Sequence, residues 1–550
     1  MIDYVLDWPE ARRRKGARNA RWDSIAGEFA GEVWPALDPS FHIRPGDAVF
    51  TIGSCFARNI ESQLAALGCE VPMLSLNFPT EEMHGQPRSA MNRFHPPAFR
   101  QCLEWTARIF DRDGKVSWED CEPMAIRCSD APNETFFDMD MATATLASKE
   151  RFIERRQHIY DVFSTVFSAA CMMMTPGVAE AFRDLKTGLY LFGAPINRAM
   201  LAEPDRWQYE TLSYEKCLED MLAAIDVVRA RNPEIKILVT TSPVPLGVTF
   251  SGRDVRIANT YSKSVLRAVC DVVATRRPMV DYFPSYETVT LSAPATAWGS
   301  DRLHVHQALI SKIVSRMTDN YLEGVTPAAR EFQLALTAIN EKDSAGAVDA
   351  ARRAIALDPT QFEPRLALLE ALIGLEDWPE AEREAVAMVA EYPTRSEVLF
   401  RMARTLGGQG RIEEAMGWIG KALELPQATQ WDLQRVSKMI SRAPSECGLP
   451  VARRAVERFP KQPESYSPLV AQLIALDRVD EALAVVRKAL SLSKPPAVLS
   501  MYLADLLGRR GEYSEARRAL DPVLAAKPDN PFARKVAKRL KRQARLAAGA

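Results

Sequence analysis

The stretch Ala48-Val-Phe-Thr-Ile-Gly-Ser-Cys-Phe-Ala-Arg-Asn-Ile-Glu61 decides the fold. Ala48 to Ile52 reads as a buried apolar strand, broken at Gly53, and Ala57 to Leu67 reads as the helix that follows. A glycine at such a corner adopts backbone angles closed to other residues, so the next two side chains are held at the sheet edge. Those are Ser54 and Cys55, two nucleophiles at a helix start, where the dipole lowers a thiol pKa. A sharp strand-to-helix turn carrying a nucleophile is the device of α/β hydrolases, although Gly-x-Ser-x-Gly itself is absent.

Outward from this corner, helices and short strands alternate. Ser148 to Phe167 is a charged amphipathic helix leading into the strand Ala169 to Met174, closed by Thr175-Pro176-Gly177. Tyr214 to Arg231 and the strand Lys236 to Thr240 form a second unit; Asn259 to Arg276 and Met279 to Tyr282 form a third. His306 to Leu322 reads as a closing helix. The Pro-rich stretch Phe78 to Pro97 reads as loop, and Arg108 to Pro123 as a hairpin around Asp111-Arg-Asp-Gly114. This alternation predicts an α/β fold with a parallel, doubly wound sheet, whose ligands bind at the carboxyl ends of its strands. Ser54, Cys55, Gly177, Ser242 and Asp301/His304 all fall just after predicted strands or before the closing helix. One common site is expected there.

After about Gly324 the strands stop and a period appears. Pro359, Pro393, Pro426, Pro460, Pro495 and Pro528 are spaced by 34, 33, 34, 35 and 33 residues. A period near 34 with paired helices is the tetratricopeptide pattern. Small residues stand where two helices must approach closely, at Ala381, Ala415, Ala482 and Ala516, each preceded by glutamate. Five to six repeats are expected over about 328–530, with the unit from Ala428 to Pro460 degenerate and interrupted at Arg442-Ala-Pro444. The basic helix Arg534 to Arg545 is expected to cap the stack. The domains read as a lead-in at 1–45, an α/β domain at 46–325 and all-α helical repeats at 326–550.

Seventy basic and 71 acidic residues give a net charge of −1, which argues against general nucleic-acid binding. Nine scattered cysteines without a CxxC suggest reduced thiols and a cytoplasmic setting. The start has too short an apolar run before Arg12-Arg-Arg-Lys15 for a signal peptide, and no stretch is long and apolar enough to span a membrane. Cysteines and histidines do not cluster at ligand spacing, and no phosphate loop is present, so neither metal nor cofactor is expected.

Gly53-Ser54-Cys55-Phe56-Ala57 spells the signature of the GSCFA family, and the sequence resembles that family well beyond it. Thr175-Pro-Gly-Val-Ala-Glu-Ala-Phe182, Thr240-Thr-Ser-Pro-Val-Pro-Leu246, Ala258-Asn-Thr-Tyr-Ser-Lys-Ser264, Tyr282-Phe-Pro-Ser-Tyr-Glu287 and Asp301-Arg-Leu-His304 follow in order. The family resembles a branch of the SGNH/GDSL hydrolase superfamily, which implies a three-layer α/β/α fold and acyl chemistry on esters. Laying Gly53-Ser54-Cys55-Phe56 ungapped over Gly-Asp-Ser-Leu puts Cys55 at the nucleophile position; a shift of one residue puts Ser54 there. Cys55 is favoured because a thiol is partly ionised near neutral pH and needs less activation.

The resemblance further implies His304 as the base, oriented by Asp301, with His306 the nearest rival. Asn92 and the backbone N–H groups of Cys55 or Gly177 would hold the oxyanion. Two departures weaken that set: Ala179 stands in Gly177-Val-Ala-Glu180 where the family has a hydroxyl residue, and Met91 precedes Asn92 where a glycine is expected. Ser242 and the pair Ser262-Lys263 read as loop-shaping or pocket residues.

The resulting expectation is an acyltransferase or esterase working on an acyl donor and a hydroxyl acceptor, with a saccharide as the acceptor class. Its repeats would bind a protein partner. The alternative is an interaction protein with a degenerate hydrolase domain.

Overall fold

The computed structural model describes the chain except residues 1–4, 16, 80–81, 83–89, 130–133, 142–144, 196, 493–494 and 549–550. The side chains of Arg18, Cys55, Phe56, Asn59 and residues 544–548 also lie outside the described set. The chain divides into two compact units, one holding Met1–Phe78, Gly85–Asp343 and Ala356–Pro359, the other holding the remainder.

Four parallel strands form the core of the first unit: β1 (Val49–Gly53), β4 (Cys171–Thr175), β7 (Lys236–Val239) and β8 (Val280–Tyr282), in the order β1-β4-β7-β8. β1 pairs with β4 in register from Val49↔Cys171 to Gly53↔Thr175. On its other edge, Ala48 forms a parallel bridge with Glu70. That single bridge supplies the place of a second strand, so the chain leaves β1 in one direction and reaches β4 in the other. Ligands of such sheets bind beyond the carboxyl ends of the strands at a reversal of this kind, here in the loops that follow Gly53 and Thr175. Every residue of β1 and β4 is buried, as expected of strands covered on both faces.

Helix α1 (Cys55–Ala66) leaves β1 directly. It packs Ile60, Leu64 and the following Leu67 into a core with Val49, Met173, Val305, Leu309 and Ile313, the last two from the closing helix α6 (Gln307–Tyr321). The other large helices are α2 (Pro96–Arg112), α3 (Lys149–Phe163), α4 (Tyr214–Arg229) and α5 (Val255–Arg276). Two antiparallel hairpins lie outside the main sheet: β2 (Ala125–Ser129) with β3 (Thr135–Asp138), and β5 (Glu180–Asp184) with β6 (Trp207–Thr211). The lead-in is tied to the same unit. Ser40 donates from N–H and hydroxyl to Asp281, and Ile43 bridges Leu322.

The expected hairpin at Arg108 to Pro123 does not form. Helix α2 runs through Arg112 and ends at Asp113, with Gly114 at φ +72° turning the chain. Pro96 and Pro97 occupy the first helical positions, where a missing N–H costs nothing, and His95 caps the helix through its ring. The apolar stripe Phe99, Cys102, Leu103, Trp105, Thr106 and Ile109 is buried, and that burial outweighs the turn chemistry of Asp111-Arg-Asp-Gly114.

Past α6, α7 (Pro327–Glu341) packs on α6 and α1 within the first unit. Twelve further helices follow, α8 (Ser344–Leu357) to α19 (Pro531–Ala548). Five consecutive pairs begin at Phe362, Ser396, Gln430, Pro463 and Ala497, so the period is 33 or 34 residues. Ala381, Ala415, Ala482 and Ala516 are all fully buried on the second helices of their pairs. The stretch read as degenerate is a regular pair, α13 (Gln430–Arg442) and α14 (Ser445–Arg458), and Ala443-Pro444 is its turn. Gly448 stands there in place of the small alanine. A Cβ on it would lie 2.5 Å from Nε2 of Gln472, so this pair needs an even smaller residue.

Candidate active site

Gly53 sets the corner. Its φ is +156°, and a Cβ on it would lie 2.6 Å from Thr175 Cβ and 2.7 Å from the Thr175 carbonyl oxygen, so no side chain fits. This close approach lets Ser54 donate its N–H to that carbonyl at 3.2 Å and start the helix at Cys55. Ser54 is 3 % exposed, and its hydroxyl donates to the Ser242 hydroxyl at 3.0 Å. A Cβ on Gly177 would sit 3.5 Å from Ser54 Cβ and 3.6 Å from Ser242 Cβ. Ser54, Gly177 and Ser242 therefore meet at the ends of β1, β4 and β7, one residue from each loop. The backbone of Cys55 is the first residue of α1, and its side chain lies outside the described residues.

Asn92 reaches the same corner through its neighbour, because Arg93 donates its N–H to the Gly53 carbonyl at 2.8 Å. Asn92 is buried and its Oδ1 has no hydrogen-bond partner. Thr175 Oγ1, also buried, is likewise unpartnered.

Gly177 does not offer the donor expected of it. Its N–H and that of Val178 are both committed to the Phe94 carbonyl, at 2.8 and 3.0 Å. The residue contributes space beside Ser54 rather than a hydrogen bond. Glu180 is drawn away as well: it sits on β5 and accepts from the Thr249 hydroxyl at 2.7 Å.

Lys263 and Ser262 shape these loops from α5. The buried Lys263 ammonium donates to the carbonyls of Gly177, Ser242 and Val244 at 2.6, 2.8 and 2.6 Å. Ser262 Oγ accepts from the Ala179 N–H at 2.6 Å. One cation thus fastens the β4 and β7 loops together under the corner. Sequence reasoning found both residues but not this clamp, since the pairing of a lysine with backbone carbonyls leaves no pattern in sequence.

Asp301 and His304 form a pair on the loop between Trp298 and Val305. His304 Nδ1 lies 2.6 Å from Asp301 Oδ2, while Asp301 Oδ1 accepts the N–H groups of Leu303 and His304. The hydrogen bond from the imidazole, with the two backbone N–H groups, holds the Asp301 carboxyl far below the usual carboxylate range. An ionised Asp301 fixes the proton on Nδ1 and leaves Nε2 as the acceptor. The His304 side chain is 76 % exposed, so the ring is presented to solvent and Ser54 is bonded to Ser242 instead. Val305, buried with Ile60 and Leu64, anchors this loop against α1.

An unforeseen network secures the Asn92 loop. Arg93 Nη2 donates to Asp140 Oδ2 at 2.8 Å; Arg156 donates to the same oxygen at 2.9 Å and to Asp138 Oδ2 at 2.7 Å. All four side chains are buried. A cavity of about 730 Å³, lined by Arg100, Arg108, Asp120 and Asp220 among others, touches none of the corner loops. A second, of about 390 Å³, is lined by Phe94 of the Asn92 loop, Val178 of the loop after β4 and Leu246 of the loop after β7.

In the repeat unit, Glu370 of α9 (Phe362–Leu375) draws three arginines from the next two first helices. Arg401 Nε lies at 3.0 Å, Arg404 Nη1 at 2.7 Å and Arg435 Nη1 at 3.2 Å. Among the described residues, no helix is long and apolar enough to cross a membrane.

Residues 48–317 match the model of the GSCFA family, and residues 450–540 match a tetratricopeptide repeat model. No curated protein matches the chain. Among solved structures, PilW, a widely conserved type IV pilus biogenesis factor, is 17 % identical, with 38 % of this chain and 98 % of that one covered and a TM-score of 0.32. The Pseudomonas aeruginosa pilF structure is 16 % identical, covering 38 % and 96 % at a TM-score of 0.30. A tetratricopeptide repeat protein from Parabacteroides merdae is 12 % identical, covering 42 % and 91 % at a TM-score of 0.31. Residues 48–317 are a GSCFA family domain, and tetratricopeptide repeats follow it.

Proposed function

We propose that the α/β domain is an acyl-transfer enzyme of the SGNH/GDSL type, moving an acyl group from an activated donor to a hydroxyl, with a saccharide as the acceptor class. The observation that carries this reading is the convergence of Ser54, Gly177 and Ser242 on the Gly53 corner, with the Asn92 loop held there by the Arg93 N–H. Cys55, at the positive end of α1, is the nucleophile. The thiol proton passes to His304 Nε2 as sulfur attacks the acyl carbon and the carbonyl electrons move onto oxygen. The oxyanion collapses, the bond to the leaving group breaks, and that group takes the proton from Nε2. An acceptor hydroxyl then gives its proton to Nε2 while its oxygen attacks the thioester, and the departing sulfur takes that proton back as its bond to the acyl carbon breaks.

Asn92, its amide turned so that Nδ2 faces the oxyanion, and the backbone N–H of Cys55 at the start of α1 stabilise that charge. Exposure of His304 is compatible with this role, because catalytic hydrogen bonds commonly tighten only when substrate is bound. The cytoplasm is the proposed setting, consistent with eight described cysteines that form no disulfide. The repeats recruit a protein partner, and the three arginines on the single Glu370 favour an acidic segment.

Incubation with acyl thioesters and activated esters, then intact mass and peptide mapping, tests the enzyme reading. Acyl is expected on the peptide holding Cys55. Cys55→Ala abolishes labelling, Ser54→Ala leaves part of it, and His304→Ala slows it by roughly 10²–10⁴-fold. Labelling that survives Cys55→Ala and is lost with Ser54→Ala moves the nucleophile to Ser54. No labelling with any donor overturns the enzyme reading and leaves the interaction role.

A further inference from the structure

We infer that the 390 Å³ cavity beside the corner is the acyl pocket, and that it selects an extended apolar acyl chain over acetyl. This rests on the acyl-transfer reading above and names its substrate class. The cavity is walled by residues that neighbour the site residues along the chain. Phe94, whose carbonyl holds the N–H groups of Gly177 and Val178, lines it, as do Val178 itself and Leu246, four residues past Ser242. Val178 follows Gly177 directly, so an acyl carbon beside Gly177 has the first wall residue of the cavity as its neighbour in the chain.

The walls are apolar and aromatic. Phe94 stands edge-on to Phe192 at 5.4 Å, and Phe182 stands edge-on to Phe250 at 5.0 Å. The volume lies within the range of small-molecule sites and holds about a dozen water-sized groups, far more than a methyl needs. Few polar groups face it. The Glu180 carboxylate is occupied by Thr249, and His95 spends Nδ1 on the Ala98 N–H.

The rim carries the second observation. Val248 is 62 % exposed and Phe250 52 % exposed, on a turn held in place by the Thr249–Glu180 hydrogen bond. Two large apolar side chains pinned at the mouth of an apolar cavity are covered when a chain enters, and the burial drives binding. A saccharide would find almost no hydrogen-bonding partner on these walls. The pocket accordingly takes the donor's acyl chain, and the hydroxyl acceptor approaches from the exposed His304 side.

The test uses the full chain and p-nitrophenyl acetate, butyrate, octanoate and laurate, reading p-nitrophenol release and intact mass. Octanoyl transfer to the protein is expected to be at least tenfold faster than acetyl transfer at equal donor concentration. Ala194 and Phe250 both line the cavity, and Ala194→Phe, which narrows it, and Phe250→Ser, which opens its rim, are both expected to bring the octanoyl rate down to within about twofold of the acetyl rate measured on the same variant. Equal rates for all chain lengths, with labelling intact, overturn the pocket and spare the acyl-transfer reading. Titration with sodium octanoate and sodium acetate reads the pocket without chemistry. Saturable binding of octanoate alone, lost in Ala194→Phe, supports the pocket even where no donor labels the protein; octanoate binding that is absent or indifferent to both variants counts against it.

Discussion

Arg93 donates its backbone N–H to the Gly53 carbonyl at 2.8 Å, so the loop carrying Asn92 hangs directly on the corner that starts α1. The guanidinium of the same residue is buried on Asp140, which also receives Arg156. A single buried carboxylate thus fixes where Asn92 stands.

Asp140→Ala is expected to cost about 3–5 kcal/mol of stability, because it leaves two buried guanidinium groups competing for Asp138. Chemical denaturation of the domain measures this. A loss below about 1 kcal/mol would mean that water already shares the network. Since Asn92 is placed through Arg93, any folded fraction of the variant should acylate more slowly at saturating donor.

Lys263 is predicted to act as a positioning residue. Lys263→Met keeps the stem length but strands the carbonyls of Gly177, Ser242 and Val244, and each unmet buried carbonyl costs about 1–3 kcal/mol. A loss of about 3 kcal/mol or more is expected by thermal or denaturant unfolding. Lys263→Arg should not rescue it, because a planar fork cannot aim at three carbonyls around one point. Full stability in Lys263→Met would show that the loops hold their shape unaided.

The strands and the repeat period were legible because both leave periodic traces. β1, β4, β7 and β8 each fall within two residues of the apolar runs that predict them, and buried alanines recur at the predicted places. Helix α2 was hidden by Asp111-Arg-Asp-Gly114, whose turn chemistry is real but acts only at the helix end. The regular α13–α14 pair was hidden because its Gly448 and Pro444 look like interruptions, and only the contact with Gln472 explains the glycine. At the site, residues joined by side-chain chemistry in one loop were readable, as with Asp301 and His304. Long-range pairings such as Lys263 with three carbonyls, or Gly177 N–H with Phe94, depend on how loops from different strands meet.

His95 gives a pH dependence with a definite sign. Burial holds its imidazole down to about 4 from an ordinary 6.5, with the nearby Arg93 acting in the same direction. The folded protein therefore binds fewer protons than the unfolded chain between these values, so this contribution is complete above about pH 6.5 and lost as pH falls toward 4. From pH 7 to 4 the loss is about 3 kcal/mol, at 1.36 kcal/mol per unit. His95→Asn, which can still cap α2, should lose that much less over the same range. Parallel pH–stability curves for the two proteins would contradict it.

The two glycines of the corner should separate folding from chemistry. At Gly53 an added Cβ meets the backbone of Thr175 at 2.7 and 2.9 Å, and backbone at the centre of a sheet cannot step aside. Gly53→Ala is expected to destabilise the domain by more than about 3 kcal/mol, or to leave it insoluble, with loss of acylation following from loss of fold. At Gly177 the same Cβ meets Ser54 Cβ, Ser242 Cβ and the Phe94 oxygen at 3.5 to 3.7 Å, which is ordinary contact. Gly177→Ala should therefore fold within about 1 kcal/mol of the natural chain. It also fills the space beside Ser54 into which an acyl carbon must pass, so labelling should fall by at least about tenfold, as a misplacement near 1 Å suffices to cost more. Unfolding curves and mass-detected acylation of the two variants give the comparison. A Gly177→Ala protein that is stable and labels at the natural rate would place the reacting carbonyl elsewhere than between Ser54 and Ser242.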